Sequence, residues 1–417
     1  MDWITIFEAL NKIYNEGAYS NMAINDAIKN HDGCAPNFVR MFVKGVIRDT
    51  FKLEYFINVL AEKGVDSIKP RTKIIIMMGI YAIYAMNSVP DHAAVNESVK
   101  LAKSVAQGSD KFVNAILRAY LRNKDNIEID DSNMMVKYSF PRKLVALLMA
   151  QYGDETEDIL KALSSPAPLT VRANTIKNSP QDVIDYLKLN GINAFKSLEV
   201  ENGLICENGN VIQTPGYNSG MFSVQGLSSI MAIERLHPEP YSTVLDMCAA
   251  PGGKTGAIAE MMGNNGKIVA CDVHEHKLSV IDATMKRLGI DIVETMLMDG
   301  TKYNSKFDSV FDYVVADVPC SGLGVISSKP EIKIRTDVTK YDQLIETQKQ
   351  ILENAIKYAK LGGTIEYSTC TLNKNENDEL IQDVLNKHNN LLVIEKKTIM
   401  PYNNMTGFYY CILRKTA

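Results

Sequence analysis

The sequence predicts three fold classes in succession: an all-α bundle over residues 1–128, linker helices with a small α+β module over 129–235, and a doubly wound α/β domain over 236–417. Three observations carry this. Up to about residue 125, apolar residues recur at intervals of three and four, as in Phe38-Val39-Met41-Phe42-Val43-Val46-Ile47, which is the spacing of one helix face. After Ser164-Ser165-Pro166-Ala167-Pro168 the pattern shortens to strand-sized apolar segments, Leu169–Ala173, Gly203–Cys206 and Met221–Val224, around a helix at Pro180–Leu189. From Pro238-Glu239-Pro240 onward, strands alternate with helices, the mark of parallel crossover units.

Each element follows from local chemistry. The run Ile74–Met86 is the longest apolar stretch but is shorter than the roughly 20 residues of a membrane span, so it reads as a buried helix. Asp91–Lys103 and Lys111–Arg122 give two more amphipathic helices, the second edged with basic residues. The polar stretch Asn123–Asn133, with Asp125, Glu128, Asp130 and Asp131, separates the bundle from a connecting helix that runs from Phe140-Pro141 to Tyr152-Gly153. No internal repeat or low-complexity tract interrupts the chain.

Composition bounds the function. Hydrophobic residues make up 46% of the 417 and charged residues 23%, a globular balance. The start, Met1-Asp2-Trp3, lacks the features of a secretory signal, and seven scattered cysteines suit reduced thiols, so a cytoplasmic protein is expected. The formal net charge is −4 and none of the segments 1–130, 131–235 and 236–417 is strongly basic. A nucleic-acid partner would therefore be met by local patches and shape, not by a general positive field.

In the last domain, Val244–Met247 reads as a first strand and Cys248-Ala249-Ala250-Pro251-Gly252-Gly253-Lys254-Thr255 as the turn after it. That turn is where an open α/β sheet brings its backbone against a ligand, and glycine permits the approach because it has no Cβ. Asp272 ends the second strand, placed to accept hydrogen bonds from ribose hydroxyls, and Asp299 ends the third, near where an adenine edge would lie. The turn has neither the Gly-x-Gly-x-x-Gly spacing nor, with Ala249 in place of the first glycine, that of a phosphate-binding loop. The bland alternative makes Lys254 a solvated helix residue.

Two cysteines stand at corresponding places. Cys320 follows the strand Phe311–Ala316 in Asp317-Val318-Pro319-Cys320-Ser321-Gly322, and Cys370 follows Gly363–Tyr367 in Ser368-Thr369-Cys370-Thr371. If those strands are neighbours, both sulfurs face one cleft at the ligand-binding edge. Cys34, Cys206, Cys271 and Cys411 read as small core hydrophobes, and Cys248 does so too despite flanking the turn. No Cys-x-x-Cys pair or matching histidine spacing suggests a metal.

Taken together, Asp246–Thr255, Asp317-Val318-Pro319-Cys320-Ser321-Gly322-Leu323-Gly324 and Tyr367-Ser368-Thr369-Cys370 resemble the Sun-type RNA cytosine-5 methyltransferases. Asp91–Val99 and Lys111–Arg118 resemble the NusB-like RNA-binding domain, and Leu169–Thr175 with Phe222–Gln225 resemble the middle module of the bacterial RsmB branch. The resemblance implies a NusB-like bundle, an RRM-like module and a Rossmann-like class I methyltransferase domain. It implies S-adenosylmethionine as cofactor, held by Cys248, Ala249, Ala250, Pro251, Gly252, Gly253, Lys254, Asp272, Asp299 and Asp317. It further implies 16S ribosomal RNA, naked or in an early assembly intermediate, as the partner of a monomer.

Carbon 5 of cytosine is a poor nucleophile, and addition of a thiolate to carbon 6 raises its electron density. The resemblance makes Cys370 that thiolate and Cys320 the assisting residue, a choice that spacing leaves open. Asp317 would stabilise the protonated ring nitrogen. The chain departs from the family at Ser327-Ser328-Lys329-Pro330-Glu331-Ile332, where an Arg-rich segment is common, at Gly226 in place of an acidic residue, and at Thr406 in place of aspartate. The competing readings are the same chemistry on transfer RNA, and a non-catalytic RNA-binding assembly factor.

Overall fold

The computed structural model describes residues 2–416, which divide into two compact units. One holds the chain up to Ser165 together with Ile326–Val338; the other holds Pro166–Val325 and the chain from Thr339 onward.

The first unit is helical. Its centre is the helix Pro70–Ala85, in which every residue from Ile74 to Ala82 is buried. A helix apolar on all sides has no face to offer water, so its neighbours must surround it; these include Asp2–Asn15, Asp91–Val105 and Asp110–Asn123. Among the described residues no helix is long and apolar enough to cross a membrane. Residues 129–165, which the sequence grouped with the middle module, fold as short helices and cluster with this unit.

Ile326–Val338 reaches the same unit from far along the chain. Its helix Glu331–Arg335 buries Lys333, whose Nζ donates to the Arg48 carbonyl and, at 2.6 Å, to the Ser139 carbonyl. Glu331 Oε1 accepts from the Ser20 amide at 3.1 Å, and Arg335 donates to the Ala18 carbonyl. Burial pushes the Lys333 ammonium down to about 7.

The second unit contains two sheets. A four-stranded antiparallel sheet has strands β1 Leu169–Ala173, β2 Ala194–Lys196, β3 Gly203–Cys206 and β4 Phe222–Val224, in the order β2-β3-β1-β4. The helix Pro180–Leu189 packs beside it, opened by a capping box between Ser179 and Asp182. The larger sheet has β5 Thr243–Asp246, β6 Lys267–Asp272, β7 Val293–Leu297, β8 Phe311–Asp317, β9 Ala359–Thr369, β10 Leu391–Ile399 and β11 Phe408–Lys415, in the order β10-β11-β9-β8-β5-β6-β7.

Five strands, β9-β8-β5-β6-β7, run parallel as expected. The end of the chain departs from a purely parallel pattern: β11 lies antiparallel to both β9 and β10. Only the short connection Met400–Gly407 joins β10 to β11, and without a crossover helix consecutive paired strands turn back on each other. The chain order reverses between β5 and β8, and that switch point opens a crevice at the carboxyl ends of the strands.

Candidate active site

The turn Cys248–Gly252 leaves β5 at that crevice and feeds the helix Gly253–Met261. Gly252 sits at φ 99°, a left-handed conformation that favours glycine, while the Ala250–Pro251 bond is cis. Below the turn, Thr255 Oγ1 donates to Asp246 Oδ2 at 2.7 Å, tying helix to strand.

Lys254 is not a solvated helix residue. It is 7% exposed, its Nζ lies 2.7 Å from Asp317 Oδ2, and it sits 4.8 Å from the centre of the Phe408 ring. Asp317, at the end of β8, also accepts from Ser368 Oγ at 3.2 Å, so the helix after β5 and the strands β8 and β9 converge on one carboxylate.

Because β8 and β9 are parallel neighbours, Cys320 and Cys370 emerge side by side, and their sulfurs lie 3.2 Å apart. Both are half-buried and neither is in a disulfide. Their loops are knitted together: Ser321 Oγ and Thr371 Oγ1 are 2.7 Å apart, and the Gly324 amide donates to the Cys370 carbonyl at 3.0 Å. Gly324 also abuts Gly407 so closely that a Cβ on either would collide with the other's backbone. The Cys320 thiol is pushed well above its usual range, first by its contact with Cys370, then by burial and by the charges of Glu376 and Asp317.

Asp272 and Asp299 follow their strands as expected. Asp272 is nearly buried; its Oδ1 accepts from the His274 amide at 3.0 Å and faces Lys277 at 3.5 Å, while Oδ2 takes no hydrogen bond from any described residue. Asp299 turns its Oδ1 onto the Thr301 amide and hydroxyl, which hold its carboxyl below the usual range. Cys248 is pushed far up by burial and then by Asp246, Asp317 and Asp272, so it stays a neutral thiol. Cys206, Cys271 and Cys411 are buried in the hydrophobic cores, and Cys34 packs at the edge of the helical one. Among the described residues no cluster of side chains could hold a metal.

Three buried ionisable side chains beside this site, Arg172, Glu260 and Glu366, escaped the sequence reading. Arg172 on β1 makes a bidentate ion pair with Glu260, at 2.7 and 2.8 Å, and donates to the Gly253 carbonyl at 2.7 Å. Both side chains are almost fully buried. Truncating one member of such a pair strands the other charge. Arg172→Ala is therefore expected to lower stability by about 3–5 kcal/mol, read from urea unfolding of the full chain; an unchanged midpoint and slope would refute it.

Glu366 on β9 lies on the same strand face as Ser368 and is fully buried. Burial pushes it up to about 7, against the pull of Lys254. The folded protein thus holds a proton that the unfolded chain releases above pH 4.5, so stability falls as pH rises from there to about 7. Glu366→Gln is expected to be more stable than the parent by about 1–3 kcal/mol at pH 8, with no gain at pH 4. Unfolding curves at the two pH values check this.

The comparisons with known proteins align with these parts. The NusB family model matches residues 4–122, the RsmF/B-like ferredoxin-like domain 140–213, and the model for 16S rRNA methyltransferase RsmB/F 233–413. The chain is 32% identical to a probable ribosomal RNA small subunit methyltransferase B of Bacillus subtilis, over 98% of this chain and 97% of that one. It is 28% identical to ribosomal RNA small subunit methyltransferase B of Proteus mirabilis, again over 98% and 97%. The crystal structure of PH0851 matches with a TM-score of 0.86 and 26% identity, over 99% of this chain and 98% of that one. A methyltransferase homolog from Pyrococcus horikoshii matches with a TM-score of 0.62 and 25% identity, over 69% of this chain and all of that one. Fold, motif order and full-length similarity agree: the chain belongs to the RsmB/F family of ribosomal RNA small-subunit methyltransferases, with a NusB-like domain and a ferredoxin-like module ahead of the Rossmann-like methyltransferase domain.

Proposed function

We propose that this protein methylates carbon 5 of a cytosine in 16S ribosomal RNA through a covalent bond between Cys370 and carbon 6 of the base. The observation that carries the reading is the 3.2 Å approach of Cys320 and Cys370 at the ends of adjacent strands, beside the Lys254–Asp317 ion pair. The small-subunit methyltransferases among the relatives support the choice of RNA.

S-adenosylmethionine, when bound, supplies the methyl group as a sulfonium. The turn Cys248–Lys254 would back against it, Asp272 would offer its Oδ2 to a ribose hydroxyl, and Asp299 would meet the adenine edge. Cys370, its proton given up to solvent, would add its thiolate to carbon 6, so that the ring electrons collect on carbon 5, which would take the methyl group as the sulfonium–methyl bond breaks and the neutral thioether S-adenosylhomocysteine leaves. A proton then passes from carbon 5 to solvent water, the double bond re-forms, and the bond from carbon 6 to sulfur breaks to free Cys370 as its thiolate. Asp317, its carboxylate paired with the Lys254 ammonium, accepts from the protonated ring nitrogen during the addition. Cys320, kept protonated beside Cys370, is the neighbour that assists the release. The base must be unstacked to reach the sulfur, and the protein is expected to act as a monomer in the cytoplasm.

The test is to incubate the purified protein and S-adenosylmethionine with a 16S transcript, digest to nucleosides and identify the product by mass spectrometry. 5-Methylcytidine is expected. Methylation at another atom would refute the chemistry, methylation of transfer RNA alone would move the substrate, and no methylation of either would favour a non-catalytic factor.

A further inference from the structure

The sequence Asn375-Glu376-Asn377 has no part in the chemistry above, yet two of its side chains are fully buried polar groups directly behind the cysteines. Glu376 accepts from four donors among the described residues. Oε2 takes the Ser321 amide and Gln348 Nε2, both at 2.9 Å; Oε1 takes the Ser321 hydroxyl at 2.5 Å and Asn373 Nδ2 at 2.9 Å. Gln348 uses the same Nε2 to reach the Pro319 carbonyl at 2.9 Å. The residues on both sides of Cys320 are therefore gripped, Ser321 by Glu376 directly and Pro319 through Gln348.

Asn377 does the same for the other cysteine. Its Oδ1 accepts from Thr369 Oγ1 at 2.6 Å and its Nδ2 donates to the Thr371 carbonyl at 3.0 Å, one residue before and one after Cys370. Two consecutive residues thus hold the flanks of two loops that arrive from different strands. The Tyr367 hydroxyl, donating to the Glu376 carbonyl at 2.7 Å, anchors the pair to β9.

We infer that Glu376 and Asn377 are positioning residues that set the separation of the two sulfurs, Glu376 acting on Cys320 and Asn377 on Cys370. The inference rests on the covalent reading of the site given above. The chemistry of Glu376 makes it specific: the two oxygens of a carboxylate have acceptor sites for all four donors. Glutamine has nearly the same shape, but its amide nitrogen would face two of those donors with its own hydrogens. A loop displaced by an ångström is enough to cost about a hundredfold in rate when two groups must act in sequence on one atom.

The experiment compares the Glu376→Gln and Cys320→Ala proteins, full-length, on a 16S transcript with S-adenosylmethionine. Turnover and KM are measured by methyl incorporation, and the protein–RNA adduct by denaturing gel. For Glu376→Gln, kcat is expected to fall by about ten- to a hundredfold, with KM for the transcript unmoved and with the adduct accumulating as it does in Cys320→Ala, because attack by Cys370 survives while release by a misplaced Cys320 slows. Parent-like turnover would overturn the inference. So would a loss of turnover with no adduct while Cys320→Ala yields one, since the defect would then not lie in Cys320. If neither protein yields an adduct, the covalent reading itself fails and the positioning role falls with it. Should Glu376→Gln not fold, Ser321→Ala removes the hydroxyl shared with Glu376 and Thr371 and is held to the same outcomes.

Discussion

Cys370→Ala is expected to lose methyl transfer by at least about 10⁴-fold while still binding S-adenosylmethionine. The size of the effect follows from the role proposed for the thiolate. Without addition at carbon 6, carbon 5 has too little electron density to take a methyl group, and none of the hydroxyls around the site replaces a thiolate at neutral pH. Removing a nucleophile from a site that otherwise stays assembled leaves only the residual effect of binding and orientation, several orders of magnitude below the parent. The change should spare the cofactor, because the turn Cys248–Lys254, Asp272 and Asp299 lie at or just past the ends of β5, β6 and β7, whereas Cys370 follows β9. Methyl incorporation into the transcript and calorimetric titration of the cofactor check the two halves separately. Parent-like turnover would show that another group attacks the base.

Cys320→Ala carries the second large effect, with a different signature. Its turnover should fall by about 10²–10⁴-fold, and the missing product should appear as a covalent protein–RNA complex that survives denaturation. Cys320 lies 3.2 Å from Cys370 and is kept protonated by that contact, by burial and by nearby carboxylates. A neutral thiol in that position assists proton movement better than it attacks. Removing it leaves the addition intact and slows the departure, so the intermediate persists. A gel without the slower-migrating complex, alongside a parent that makes 5-methylcytidine, would take Cys320 out of the release step.

The sequence and the structure agree best where one residue type has one local reason to be where it is. The turn at Gly252, the acidic ends of β6 and β7, and the cysteines beyond β8 and β9 were legible because each follows directly from a strand in an open parallel sheet. The separation of the sulfurs was not, because strand order is set by long-range pairing, and the order β9-β8-β5 is invisible in spacing. Nor was the antiparallel end of the sheet, where β10 and β11 look in sequence like any other strands. Arg172, Glu366, Glu376 and Asn377 share a different difficulty. Polar residues are usually solvated, and nothing in their neighbours along the chain marks them as buried. The partners of Arg172 and Glu376 include residues far off in sequence, Glu260 and Ser321, and those of Asn377, Thr369 and Thr371, though nearer, face it only because the chain turns back after β9. The Glu331-Ile332-Lys333 stretch was legible only as a departure in composition, whereas its charges are spent on carbonyl and amide groups of the helical unit.

That last stretch gives the protein an awkward anatomy for gene shuffling. Since the polypeptide visits the helical unit, leaves it at Ser165 and comes back for Ile326–Val338, no single breakpoint yields two self-sufficient halves. A fragment starting after Ser165 would carry Lys333 away from the carbonyl oxygens of Arg48 and Ser139, and an isolated bundle would be left with a vacant seat where Ile334 packs. Any exchange of the amino-terminal half with that of another enzyme has to replace this short return loop as well, which ties the inheritance of the two parts together.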